Sequence, residues 1–128
     1  MYPEDLRYSR EHTWIRVKGD KGRIGITYFA QAELGDIVFV ELPALGRWVR
    51  QLEAFGVVES VKAVSDLHAP ASGEVVEVNS NLEAQPELIN SDPYGAGWIA
   101  VIRLGALQEL ENLMSAQAYR AFVEAGGK

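Results

Sequence analysis

One lysine stands between two apolar stretches and invites a chemical reading. Phe55-Gly56-Val57-Val58 and then Glu59-Ser60-Val61 precede Lys62, and Ala63-Val64 follow it. Pro70-Ala71-Ser72-Gly73 then leads into another apolar run. A chain reversal at Val61-Lys62 would have poor turn chemistry, because tight hairpins favour Asn-Gly or Asp-Gly, where positive φ is cheap. An exposed lysine at a hairpin tip suits acylation by a carboxylic acid. Its amine must reach a ligase, its long stem extends the attached group, and the acyl bond removes its charge. The plainer reading is a solvated turn lysine, the common fate of this residue type. Ser60, Ser65, Asp66 and His68 also invite a hydrolase reading. Triad members usually come from separated segments, however, and no nucleophile elbow of the G-x-S-x-G type is present.

Short β-type segments must position this lysine. Thr13-Trp14-Ile15-Arg16-Val17 alternates like a half-buried strand with Ile15 and Val17 on one face. Gly19-Asp20-Lys21-Gly22 reads as its turn and Arg23 to Ile26 as the returning strand. Thr27 is an N-cap for a short helix over Tyr28 to Leu34, and Gly35 suits the left-handed position at its end. Ile37 to Leu42 is the strongest strand and Pro43 ends it. A turn and short strand follow at Gly46-Arg47-Trp48-Val49. Further strands are expected over Ala54 to Ser60, Ser72 to Asn79 and Trp98 to Leu104, with turns through Asn90 to Gly97.

The pattern changes after that. Leu107, Leu110, Leu113 and Met114 recur at helical spacing, and Tyr119, Phe122 and Val123 do so beyond Ser115, a cap. The expectation is one domain over 1–128, with a β-rich body at about 6–104 and short C-terminal helices at about 105–125. Gly35-Asp36-Ile37-Val38-Phe39-Val40 and Gly73-Glu74-Val75-Val76-Glu77-Val78 share a pattern, as the two halves of a pseudo-two-fold sandwich would.

Composition narrows the classes. The net charge of −6 gives no drive toward nucleic acid or an anionic membrane. No apolar run approaches the ~20 residues that span a bilayer. With no cysteine, disulfides, thiolate metal sites and a cysteine nucleophile are excluded, so redox chemistry would need a cofactor's sulfur. Two histidines, His12 and His68, show no metal-ligand spacing. The polar, acidic start from Met1 to Asp5 is neither a signal nor a transit peptide. A bacterial cytoplasmic monomer is expected, or a mitochondrial matrix protein if a transit peptide has been removed.

Glu59-Ser60-Val61-Lys62-Ala63 with Ser65-Asp66 resembles the lipoyl-attachment segment of glycine cleavage H proteins. Tyr8 to Trp14, Gly25-Ile26-Thr27, Leu34 to Pro43, Ser72 to Asn79 and Leu88 to Trp98 resemble further segments of that family, in order. The likeness covers roughly residues 6–123. It implies a mostly β fold, a barrel-sandwich hybrid with pseudo-two-fold symmetry and short C-terminal helices. It further implies a non-catalytic carrier with lipoate on Lys62. The arm would take an aminomethyl group from the glycine decarboxylase P protein, pass it to the aminomethyltransferase T protein and be reoxidised by the L protein, dihydrolipoamide dehydrogenase. A lipoate ligase or a lipoyl/octanoyl transferase would load it. Glu59 is then a ligase-recognition residue, and Glu11, His12, Thr13 and Asp66 are expected near a cleft shielding the loaded arm.

Two departures stand out. Leu52 occupies a position where such carriers often have a turn glycine, which leaves another turn shape open. Thr13 stands where some members have glutamate, with Glu11 nearby as a substitute. A biotin carrier usually flanks its lysine with methionines, whereas Val61 and Ala63 stand here. Lipoyl domains of 2-oxoacid dehydrogenases are shorter and usually carry an acid where Val61 stands.

Overall fold

The computed structural model describes residues 1–128. In chain order the elements are β1 (Arg7–Tyr8), β2 (Thr13–Lys18), β3 (Lys21–Ile26), α1 (Tyr28–Leu34), β4 (Ile37–Glu41), β5 (Trp48–Val49), β6 (Ala54–Ser60), β7 (Val64–His68), β8 (Gly73–Val78), α2 (Asn81–Ala84), α3 (Leu88–Ser91) and β9 (Ala100–Leu104). A 3-10 helix (Leu107–Asn112) and α4 (Ala116–Glu124) follow. A six-stranded antiparallel sheet, ordered β1-β2-β3-β9-β8-β5, faces a three-stranded one, β4-β6-β7. The main core lies between them and includes Ile15, Ile24, Val40, Phe55, Val58, Leu67, Val75 and Ile102. β-branched residues dominate these strands because they pack well on a pleated surface.

The two similar segments open β4 and β8. Each breaks register at the same place, between Ile37 and Phe39 in β4 and between Val75 and Glu77 in β8. A bulge bends and twists its strand. Matching bulges at matching residues are the structural form of the internal likeness.

A second core lies behind β1 and β2, where Tyr119 of α4 and Tyr2 and Leu6 of the N-terminal segment cluster with Tyr8 and Trp14. Its presence corrects the half-buried reading of β2, since Trp14 and Ile15, on opposite faces, are both 0% exposed. The Trp14 indole lies across its cross-strand partner Gly25, where an added Cβ would meet the ring at 2.6 Å. The indole Nε1–H donates to Ile26 O and Pro93 O at 3.0 and 3.1 Å.

Other expectations shift as well. The first hairpin turn is shorter than expected, because Lys18 already pairs with Lys21. The stretch after Lys62 contains β7, and the last strand begins at Ala100, after Trp98 and Ile99. The first C-terminal helix is a 3-10 helix. Two four-residue helices, α2 and α3, were not expected; neither has a side-chain cap that would mark it in sequence. Thr27 and Ser115 do cap α1 and α4, accepting from Ala30 N–H and Ala118 N–H. Gly35 has positive φ as expected, but with φ 82 and ψ −156 it lies in a region nearly reserved for glycine, not in the left-handed helical well.

Candidate functional site

Lys62 sits at the tip of the β6–β7 hairpin, exposed, and its amine makes no hydrogen bond or ion pair with the protein. The missing turn chemistry is supplied by Ser60. Lys62 N–H and Ala63 N–H donate to Ser60 Oγ at 3.2 and 3.0 Å, and the hydroxyl donates to Ala63 O at 3.3 Å. Ser60 N–H closes the reversal on Ala63 O at 2.8 Å. A serine hydroxyl can thus do what a positive φ would otherwise do. The sequence offered Ser60 as a poor hydrolase nucleophile and as part of the lipoyl-type segment, with no role in the turn. A serine opening an otherwise unmotivated turn was the available signal.

The tip is also tied sideways. Val61 N–H donates to Asp36 O at 3.1 Å. Asn90 braces that joint, accepting from Ile37 N–H at 2.9 Å and donating to Gly35 O and Gln31 Oε1 at 2.9 and 3.0 Å. The Lys62 stem passes over Gly35, where an added Cβ would lie 3.5 Å from Lys62 Cε. Nothing in the sequence links Asn90 to Lys62; only folding brings them near.

Just beyond lies an open cleft of about 260 Å³ lined by Glu11, His12, Phe29, Glu33, Leu34 and Ser65, with the chain's last residues at its side. Apolar Phe29 and Leu34 therefore face two carboxylates. Ser9 shapes the turn that throws Glu11 into this cleft, its Oγ accepting from Glu11 N–H and Thr13 N–H at 3.2 Å each. Glu11 Oε2 also lies 3.8 Å from His68 Nδ1.

The sequence-derived candidates separate in space. Glu11 and His12 line the cleft. Thr13 is 1% exposed, and its hydroxyl is committed, donating to His68 O at 3.0 Å and meeting Ser9 Oγ at 2.6 Å. It holds β2 to β7 from behind and presents no hydroxyl to the cleft. His12 has φ 67 and a packed ring. Its Nδ1 accepts from Tyr119 O–H at 2.7 Å and its Nε2–H donates to Gly127 O at 2.9 Å, with Thr27 Oγ1 completing the chain at 2.7 Å from the phenol. Burial lowers the His12 pKa, against opposing contributions from Gly127, Glu11 and Glu33. Burial likewise raises that of Tyr119 well above the usual phenol. Both groups are therefore neutral at pH 7. Glu33, not singled out from sequence, and Ser65, met there in other readings, share the cleft.

Glu59 and Asp66 belong to another surface. On the outer face of the three-stranded sheet, Phe39, Glu59 and Val64 pair in one row and Glu41, Val57 and Asp66 in the next. Apolar and acidic residues alternate there, and none of the three carboxylates has an ion-pair partner. Asp66 does not cap the hairpin, since its carboxylate accepts no hydrogen bond; Ser60 does that work. Leu52, at the other end of β6, has φ 71. The turn thus keeps a glycine-type conformation with a leucine in it.

An exposed lysine on a braced tip beside an open cleft is an arrangement suited to a carrier that presents an attached group. Residues 6–126 match the family model described as glycine cleavage H-protein. A glycine cleavage system H protein of Symbiobacterium thermophilum is 63% identical over 97% of each chain, and that of Bacillus subtilis is 53% identical over 95% of this chain and 96% of the relative. The crystal structure of a glycine cleavage system H protein from Mycobacterium marinum superposes with a TM-score of 0.85 at 42% identity, covering 95% of this chain and 98% of that one. The chain belongs to the glycine cleavage H-protein family, whose members are lipoyl-bearing carriers of that system. No helix is long and apolar enough to cross a membrane.

Proposed function

We propose that Lys62 is the lipoylated residue, and that 1–128 acts as one monomeric, cytoplasmic carrier unit. The observation that carries this reading is the free amine of Lys62 at a tip ordered by its neighbours and not by the lysine itself. Lipoate would bond through its carboxyl to Nζ, so the amine must be unpaired and reachable, and it is both. When bound, the group supplies the disulfide and dithiol chemistry by which a carrier accepts an aminomethyl unit from the P protein, yields it to the T protein and is reoxidised by the L protein.

The protein's own residues position and shelter that group. Phe29 and Leu34 give the cleft an apolar wall that reduces water access, and Glu11 and Glu33 offer carboxylates to an ammonium. His12 and Thr13 shape the cleft from within the fold. Glu59, exposed on the tip strand, presents a carboxylate to the ligase or transferase, with Asp66 two residues along β7 from Val64 on the same face.

Intact mass after incubation with lipoate ligase, lipoate and ATP tests the central claim. The parent should gain one lipoyl group and Lys62→Arg none. A gain that survives Lys62→Arg would move the attachment elsewhere. Glu11→Gln with Glu33→Gln should shorten the lifetime of the loaded arm; an unchanged lifetime would remove the sheltering role.

A further inference from the structure

On the layer opposite Lys62, the outer face of the six-stranded sheet carries a concentration of positive charge that the carrier reading leaves without a role. Arg16, Lys18, Lys21 and Arg23 line a groove of about 310 Å³, with Val101 as its floor and Glu77 at its far rim. These are four of the twelve cationic side chains in a chain of net charge −6. They also stand in register, Arg16 opposite Arg23 and Lys18 opposite Lys21. Like charges directly opposite across a ladder destabilise it, so chance solubilisation is a poor account of this arrangement. Lys18, Lys21 and Arg23 have no carboxylate partner, and Arg16 alone is paired, with exposed Asp5 at 3.3 Å.

Both guanidinium groups are already oriented. Arg23 lies 4.9 Å over the Trp98 ring and Arg16 5.6 Å over that of Trp14, while Arg16 also donates to Tyr94 O at 3.3 Å. Stacking fixes the plane of a guanidinium; Arg23 keeps its N–H edges free, whereas Arg16 has Nε committed to Asp5 and Nη1 to Tyr94 O and keeps Nη2. The stems cover Val101, which is only 7% exposed.

We propose that this groove binds a small oligoanion of the diphosphate class. Strand spacing of about 5 Å and a two-residue rise of about 7 Å place the Cα atoms of the four residues at the corners of a small rectangle, from which their side chains rise to line the groove. Two linked phosphates can span the groove and accept from the Arg23 fork, from Arg16 Nη2 and from the two lysines. A peptide strand fits less well, because β3 lies between β2 and β9 with both edges paired and offers no free ladder. The volume is also that of a small-molecule site. Glu77 pairs with Val101, which pairs with Arg23, so its carboxylate sits two strands away and confines the anion to the β2–β3 end.

Calorimetric titration of the full-length chain with inorganic pyrophosphate at low salt tests the site without reference to lipoylation. One saturable site is expected, with orthophosphate at least tenfold weaker. Lys18→Gln with Lys21→Gln should weaken pyrophosphate at least tenfold, while Tm holds or rises because a like-charge pair has been removed. Arg10→Gln, outside the groove, should change nothing. Absence of saturable binding, undiminished binding in the double variant, or loss of binding with a fall in Tm would each overturn the proposal. Tighter binding of triglutamate than of pyrophosphate would overturn it in favour of an acidic protein segment.

Discussion

Strand β6 runs between two tight turns, and neither has the residue type that a reversal usually wants. At its far end the Val61-Lys62-Ala63 turn is built with negative φ, and the buried hydroxyl of Ser60 collects the loose amide groups. At its near end Glu53 N–H donates to Arg50 O at 2.9 Å, and Leu52 takes the third position of the turn with φ 71. Leu52 N–H does find Ala69 O at 2.6 Å, but its side chain is 52% exposed, so packing returns little. Both ends use side-chain acceptors, Ser60 Oγ at the tip and, at the near end, Glu53 Oε1 for Arg50 N–H and Ser72 Oγ for Gln51 N–H. Only the near end also carries backbone strain, at Leu52. The difference follows what each end must present. On the proposed function, a tip that offers its lysine to other proteins gains from a defined shape that leaves the lysine free.

The sharpest break in this comparison would come from the lysine itself. Lys62→Arg should abolish lipoylation, read by intact mass, and leave Tm unchanged, because the turn depends on the Lys62 amide and not on its side chain. A drop in Tm would show that the lysine shapes its own turn.

Ser60→Ala removes the acceptor that two amides share. We expect a loss of about 1–2 kcal/mol in urea unfolding, together with faster hydrogen exchange at the Lys62 and Ala63 amides and slower lipoylation. If exchange at those amides does not change, the hydroxyl is not what orders the tip.

At the opposite end the sign reverses. Leu52→Gly relieves roughly 1–2 kcal/mol of left-handed strain and adds roughly 0.5–1 kcal/mol of chain entropy loss. A net gain of about 0.5–1 kcal/mol should appear in urea unfolding, whereas Leu52→Ala, equally strained, should give none. A stabilised Ala variant would place the cost in the exposed side chain and not in φ.

The smallest effect concerns His12, the other non-glycine residue at positive φ. Its strain is held by two ring hydrogen bonds. Burial sets its folded pKa below the ordinary 6.5, so the unfolded chain takes up a proton first. Its contribution is complete above about 6.5 and is lost as pH falls through the lower folded value. Stability should therefore decline from pH 7 toward pH 5, and His12→Asn should flatten that slope. An equal slope in both proteins would assign the decline to other groups.

Much of this was legible in the chain. Thr27 and Ser115 announced their helices because a cap is a local contact over three residues. The order of the expected strands and the lysine just beyond β6 followed from apolar runs punctuated by turn residues, whereas β7 did not. The boundaries of the first hairpin did not, since Lys21 and Gly22 have turn character yet pair in β3. Leu52 was recognisable as standing at a glycine position, but whether the turn would change shape was not.

What the sequence determined by itself was periodicity, capping and the identity of the exposed lysine, because these depend on residues close along the chain. What only the tertiary structure decided was everything that depends on distant partners. Asn90 reaches back 53 and 55 residues to Ile37 and Gly35. Tyr119 reaches back 107 residues to His12, and Thr13 donates across 55 residues to His68. Whether a polar side chain faces a cleft or is consumed behind it depends on the sheet that happens to be packed against it. No spacing within its own strand reports that neighbour.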